Sequence, residues 1–134
     1  MLDLIIKNGQ CYIDGKLRDE DIAIKDGKIQ QIGQISGEAK EILEVEGQTI
    51  LPGCIDTQTH FREPGSTDTE DLHSGSRAAI VGGITSVFEM PNTNPPTSTK
   101  VEFQKKLDLA KNRMYCNYAF YFGATADNAD DLAS

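Results

Sequence analysis

Asp56-Thr57-Gln58-Thr59-His60-Phe61-Arg62-Glu63-Pro64-Gly65 follows directly on the apolar run Thr49-Ile50-Leu51-Pro52-Gly53-Cys54-Ile55. The run reads as a buried strand. Side chains alternate faces along a strand, so Asp56, Gln58 and His60 are expected to point the same way. Three polar groups converging at the end of a buried strand need hydrogen bonds, a metal or a substrate as partners. The stretch therefore reads as the edge of an active site.

Downstream, strands and helices alternate. Residues 66–71 are cap-forming and acidic, suited to a helix start, and Leu72, Ser76, Ala79 and Ile80 then fall at helical spacing until Gly82-Gly83. Ile84-Thr85-Ser86-Val87-Phe88-Glu89-Met90 reads as a second strand, and residues 92–97 as a Pro- and Asn-rich loop. Thr99 and Glu102 form a capping box ahead of a helix whose apolar stripe is Phe103, Leu107, Ala110 and Met114. Tyr118-Ala119-Phe120-Tyr121-Phe122 is a third strand, Gly123-Ala124-Thr125 its loop, and residues 127–134 open another helix. This rhythm predicts a parallel β/α fold with a sheet buried on both faces. Sites in such folds gather at the carboxyl ends of the strands, where residues 60–65, 91–97 and 123–125 all lie.

Upstream, residues 1–51 read as a small β-sandwich portion built from short strands and tight turns. Asn8-Gly9, Asp14-Gly15 and Asp26-Gly27 each signal a hairpin, because these pairs accept the positive φ angles of two-residue turns. No residue in this portion suggests chemistry.

The 134 residues are 38% hydrophobic, enough for a core, and carry a net charge of −8. That charge argues against nucleic acid and against an anionic membrane surface. Cys11, Cys54 and Cys116 form no Cys-x-x-Cys pair and suit reduced thiols, small and buried, in a cytoplasmic protein. No signal peptide or membrane span is read at Met1-Leu2-Asp3-Leu4-Ile5-Ile6-Lys7.

Pro52-Gly53-Cys54-Ile55-Asp56, then His60-Phe61-Arg62-Glu63-Pro64-Gly65, then Glu89-Met90-Pro91-Asn92-Thr93-Asn94-Pro95-Pro96-Thr97 together resemble the opening of a dihydroorotase, a cyclic-amide hydrolase of the amidohydrolase superfamily. The resemblance implies a TIM-type β/α barrel, of which residues 52–134 would supply the first three units. A barrel needs about 250 residues, so it would be incomplete here. In the family the amino-terminal strands pair with strands returning from the carboxyl end.

The activity implied is reversible hydrolysis of dihydroorotate to carbamoyl aspartate in pyrimidine biosynthesis. No catalytic residue is assigned within these residues; the catalytic residues are expected beyond Ser134, which would leave these residues inactive alone. One or two zinc ions are implied, with His60 as a ligand and Gln58 in place of a ligand histidine. An amide oxygen is a poor zinc ligand beside imidazole. Arg62 and Asn92 match the pair that grips the substrate carboxylate, and Asp56 a position that buttresses the strand end or a ligand. Without the resemblance, Arg62 would be read as a salt bridge to Glu63 or Asp68, Asn92 as turn chemistry, and His73 as a solvated side chain. Homo-oligomerisation is implied for a full-length protein. Gln58 also fits a non-catalytic homologue associated with a pathway enzyme such as aspartate transcarbamoylase, and allantoinase is a further cyclic-amide hydrolase with similar motifs.

Overall fold

The computed structural model describes residues 1–129, and these divide into two compact units, residues 1–52 and residues 53–129. The expected last helix lies for the most part outside the described residues.

The first unit holds seven strands: β1 (Leu2–Lys7), β2 (Gln10–Ile13), β3 (Lys16–Asp19), β4 (Asp21–Lys25), β5 (Lys28–Gly33), β6 (Ala39–Glu44) and β7 (Thr49–Ile50). They form a four-stranded sheet ordered β5-β4-β1-β6 and a three-stranded sheet ordered β3-β2-β7. Two of the expected hairpins are present. Asp14-Gly15 joins β2 to β3 and Asp26-Gly27 joins β4 to β5, with all four residues at positive φ. Asn8-Gly9 is not a hairpin turn, because β1 pairs with β4 and β6 whereas β2 pairs with β3 and β7. The pair instead passes the chain from one sheet to the other. Gly9 is needed there because a Cβ would collide with the side chains of Ile50 and Val45. Ile5, Ala23 and Ile35 form this unit's buried cluster, flanked by Leu2 and Ala39.

The second unit holds β8 (Cys54–Thr59), α1 (Leu72–Val81), β9 (Ile84–Glu89), α2 (Lys100–Ala110) and β10 (Asn117–Phe120). The three strands form a parallel sheet ordered β10-β9-β8. Parallel neighbours need crossovers, which α1 and α2 supply. Both caps follow from the sequence. Asp71 accepts from Ser74 N while Ser74 Oγ accepts from Asp71 N, and Thr99 Oγ1 accepts from Glu102 N. The helices pack Leu72, Ala79 and Ala110 with Phe61, Val87, Cys116 and Phe120, and Phe103, Leu107 and Met114 lean on the same cluster.

Three expectations fail here. The run 49–55 is not one strand: β7 belongs to the first unit and β8 to the second, with exposed Leu51, Pro52 and Gly53 between them. Nor is the run buried, for Ile55 is 61% exposed and Cys54 is also open to solvent, unlike buried Cys11 and Cys116. Among the described residues the sheet is covered on one face. Val87, Glu89 and Phe120 turn toward the helices, while Phe88 on the opposite face is exposed. Among the described residues, no helix is long and apolar enough to cross a membrane.

Candidate functional site

Three loops leave the carboxyl ends of β8, β9 and β10, and hydrogen bonds tie them together. Met90 N donates to Thr59 O (2.9 Å) and Tyr121 N to Glu89 O (3.0 Å), continuing the ladders. Asn94 N donates to Pro64 O (3.0 Å), and Gly123 N to Thr97 O (2.7 Å). Gly65 has φ +122 and lies against the Asn94 backbone, so only glycine fits that crossing without strain. Buried Asn128 donates through Nδ2 to both Ser98 O and Gly123 O at 2.8 Å, joining the second and third loops.

Within this rim, His60 and Asn92 meet: His60 Nδ1 is 2.9 Å from Asn92 Oδ1, across residues from two loops. Arg62 is exposed and makes no hydrogen bond or ion pair among the described residues. Its expected neighbour Glu63 is instead taken by Arg113, through Nη1 to Oε1 at 2.8 Å and Nη2 to Oε2 at 3.0 Å. Glu63 Oε2 also accepts from Leu72 N at the start of α1 (2.9 Å). Among the described residues the Arg62 guanidinium thereby keeps no hydrogen-bond acceptor.

Asp56 and Gln58 do not join His60 through any hydrogen bond among the described residues. Asp56 Oδ1 accepts from the Gln58 backbone N (2.9 Å), a local turn-like bond that belongs with the irregular β8–β9 register between Asp56 and Thr59. That register shift falls within the stretch for which strict alternation is expected. The Gln58 side chain is exposed. Among the described residues, no three His, Cys, Asp or Glu side chains gather into a group able to hold a metal ion. Zinc takes four ligands, so these residues alone do not fit a zinc centre. His73, expected to be solvated, has a partner: Nε2 lies 3.2 Å from Tyr115 Oη, with the rings edge to face at 5.0 Å.

Behind the rim lies a pair not anticipated from sequence. Glu89, the last residue of β9, and Lys106 of α2 form an ion pair in which neither side chain has any exposed surface. Lys106 Nζ also donates to Met90 O (3.1 Å) and sits 5.1 Å from the centre of the Phe120 ring. Burial pushes Glu89 up to about 7, against the pull of Lys106 and, more weakly, of Arg62. Burial also pushes Lys106 down, against the pull of Glu89. Sequence signals for both were present. Glu89 alternates with Val87 on the covered face of β9, and Lys106 is three residues from Phe103 and four from Ala110 on the buried stripe of α2.

The sequence model of the amidohydrolase family matches residues 49–131. Allantoinases of Escherichia coli O1:K1 / APEC and of Escherichia coli O81 (strain ED1a) are each 42% identical over 131 residues, which cover 97% of this chain and 29% of theirs. Among solved structures, L-hydantoinase (dihydropyrimidinase) from Arthrobacter aurescens superposes with a TM-score of 0.89 at 31% identity, covering 98% of this chain and 30% of that one. A D-hydantoinase superposes with a TM-score of 0.84 at 26% identity and the same coverage. The chain thus spans 29–30% of the length of these relatives. These names are allantoinase and hydantoinase, where the motifs resembled dihydroorotase.

Proposed function

Because this chain belongs to the amidohydrolase family, we infer that it supplies one part of a hydrolase that opens cyclic amides, acting on rings of the allantoin and hydantoin type. The observation that carries this reading is Arg62, exposed, two residues after His60 in the same loop, and without a hydrogen bond or ion pair among the described residues. A guanidinium offers two parallel donors, which suit a carboxylate or the adjoining oxygens of a ring imide. Asn92 adds a neutral polar group at the same rim. Residues 53–129 would form the first β/α units of a barrel whose remainder supplies the other walls of the site.

Enzymes of the amidohydrolase family are generally metal-dependent. We assign His60 as the contribution of these residues to such a centre, with zinc as the proposed ion and the other ligands drawn from residues not described here. Gln58 is assigned a hydrogen-bonding role.

A second reading, dihydroorotase, is favoured by Arg62 and Asn92 as a carboxylate grip. The test is ring opening by the protein carrying this chain, offered allantoin, a 5-substituted hydantoin and dihydroorotate in parallel and followed by chromatography of the products. Opening of allantoin or the hydantoin is expected. Opening of dihydroorotate alone would select the second reading, and opening of none would favour a non-catalytic homologue, as Gln58 allows.

A further inference from the structure

We propose that the buried Glu89–Lys106 pair is a positioning device that fixes the Met90–Asn92 turn and, through Asn92, holds the His60 ring in one tautomer. The argument starts at Met90. Its peptide is gripped on both sides, the N–H by Thr59 O (2.9 Å) and the carbonyl by Lys106 Nζ (3.1 Å). The turn continues under control, since Thr97 N donates to Pro91 O (2.9 Å) and Thr93 Oγ1 donates to Pro95 O (2.9 Å). Asn92 leaves the chain between these fixed points and brings Oδ1 to His60 Nδ1 at 2.9 Å.

An amide oxygen only accepts, so this contact requires a proton on Nδ1. The neutral imidazole then carries its lone pair on Nε2, which has no partner among the described residues. The ring is thus held in the form that can act on a group in front of it, and the hold originates in a lysine behind the sheet.

A buried ammonium would be costly without Glu89, and the Phe120 ring face adds a second favourable contact. The pair does not have to be ionised for the device to work, because a neutral amine still donates to Met90 O. Lys106, pushed down by burial, retains that bond in either form.

The experiment uses the protein carrying this chain after a chelator has removed any metal, so that Nε2 is free to take a proton, with nitrogen-15 NMR of the histidine rings at one fixed pH, and His60→Gln to assign the His60 signals. Wild type is expected to show His60 predominantly protonated on Nδ1, and Asn92→Ala to shift it to the Nε2-protonated form. The double variant Glu89→Leu/Lys106→Met removes both buried charges at similar volume and so keeps the core apolar. It is expected to reproduce the Asn92→Ala spectrum, while Glu89→Gln, which keeps the Lys106 donor, retains the wild-type one. A folded double variant with an unchanged His60 signal would overturn the proposal. Should the double variant not fold, Glu89→Gln decides: a His60 signal lost there, with the amine donor still present, would equally overturn it. None of these readouts depends on which ring the protein opens, so the positioning claim and the proposed activity fail separately.

Discussion

Arg113 grips Glu63 with two parallel hydrogen bonds, 2.8 and 3.0 Å long, that connect the end of α2 to the loop after β8. Asp71 stands 3.6 Å from the same guanidinium, and Arg113 Nη1 also donates to Leu109 O. Glu63 is buried, so removing its partner strands a carboxylate that, among the described residues, keeps the Leu72 amide alone. Arg113→Met is expected to lower the unfolding free energy by about 2 kcal/mol, as for a hydrogen-bonded charge. Urea titration measures it, and a loss below about 0.5 kcal/mol would mean that water replaces the pair without cost.

Gly75 lies inside α1, where glycine to alanine normally helps a helix by about 1 kcal/mol. Here a Cβ would run into the ring of buried Phe61. Gly75→Ala is therefore expected to destabilise, by about 1–3 kcal/mol for overpacking. Phe61 is flanked by His60 and Arg62, so the same variant should also weaken ring opening. A rise in melting temperature would contradict the crowding.

Glu89 gives the pH dependence a definite sign. Its folded-state value, about 7, stands above the ordinary 4.5, so between those values the folded form binds more protons than the unfolded one. Its contribution to stability is full below about 4.5 and is lost as pH rises toward 7. The slope from one such group cannot exceed about 1.4 kcal/mol per pH unit. Comparing wild type with Glu89→Gln by urea titration across this window isolates the term. A difference that grows in the opposite direction would show that Lys106 dominates the pair.

Arg62→Ala tests the anion grip. For a ring carrying a carboxylate, KM is expected to rise about 10- to 100-fold, the equivalent of a charge-assisted hydrogen bond. For an unsubstituted hydantoin the rise should be smaller. Equal kinetics on both rings would remove Arg62 from the substrate site.

Local chemistry was legible wherever a residue acts on its own neighbours. Asp14-Gly15, Asp26-Gly27, the caps at Asp71 and Thr99 and the end of α1 at Gly82 are all set within a few residues of chain. Asn8-Gly9 carries the same local signal, yet Ile50, distant in sequence, decides what that glycine is for. The run 49–55 misled because hydrophobicity does not say which sheet a strand joins. Arg62 and Glu63 show the same limit: adjacent charges look paired, but Arg113, 50 residues from Glu63, outcompetes. The positions of His60 and Asn92 at strand ends were readable from motif and rhythm, but their contact with each other was not. Lys106 escaped notice because a lysine on an apolar stripe is normally taken to reach past it into water.

Lys106 and its neighbour Lys105 also differ as chemical targets. Lys105 has 63% of its side chain in solvent and Lys106 none, although the two are consecutive in α2. An amine-reactive reagent will therefore modify the first and spare the second until the core beneath β9 opens. The ratio of modification at these two positions, read from one peptide, is an internal gauge of whether the floor of the His60–Asn92 rim is intact.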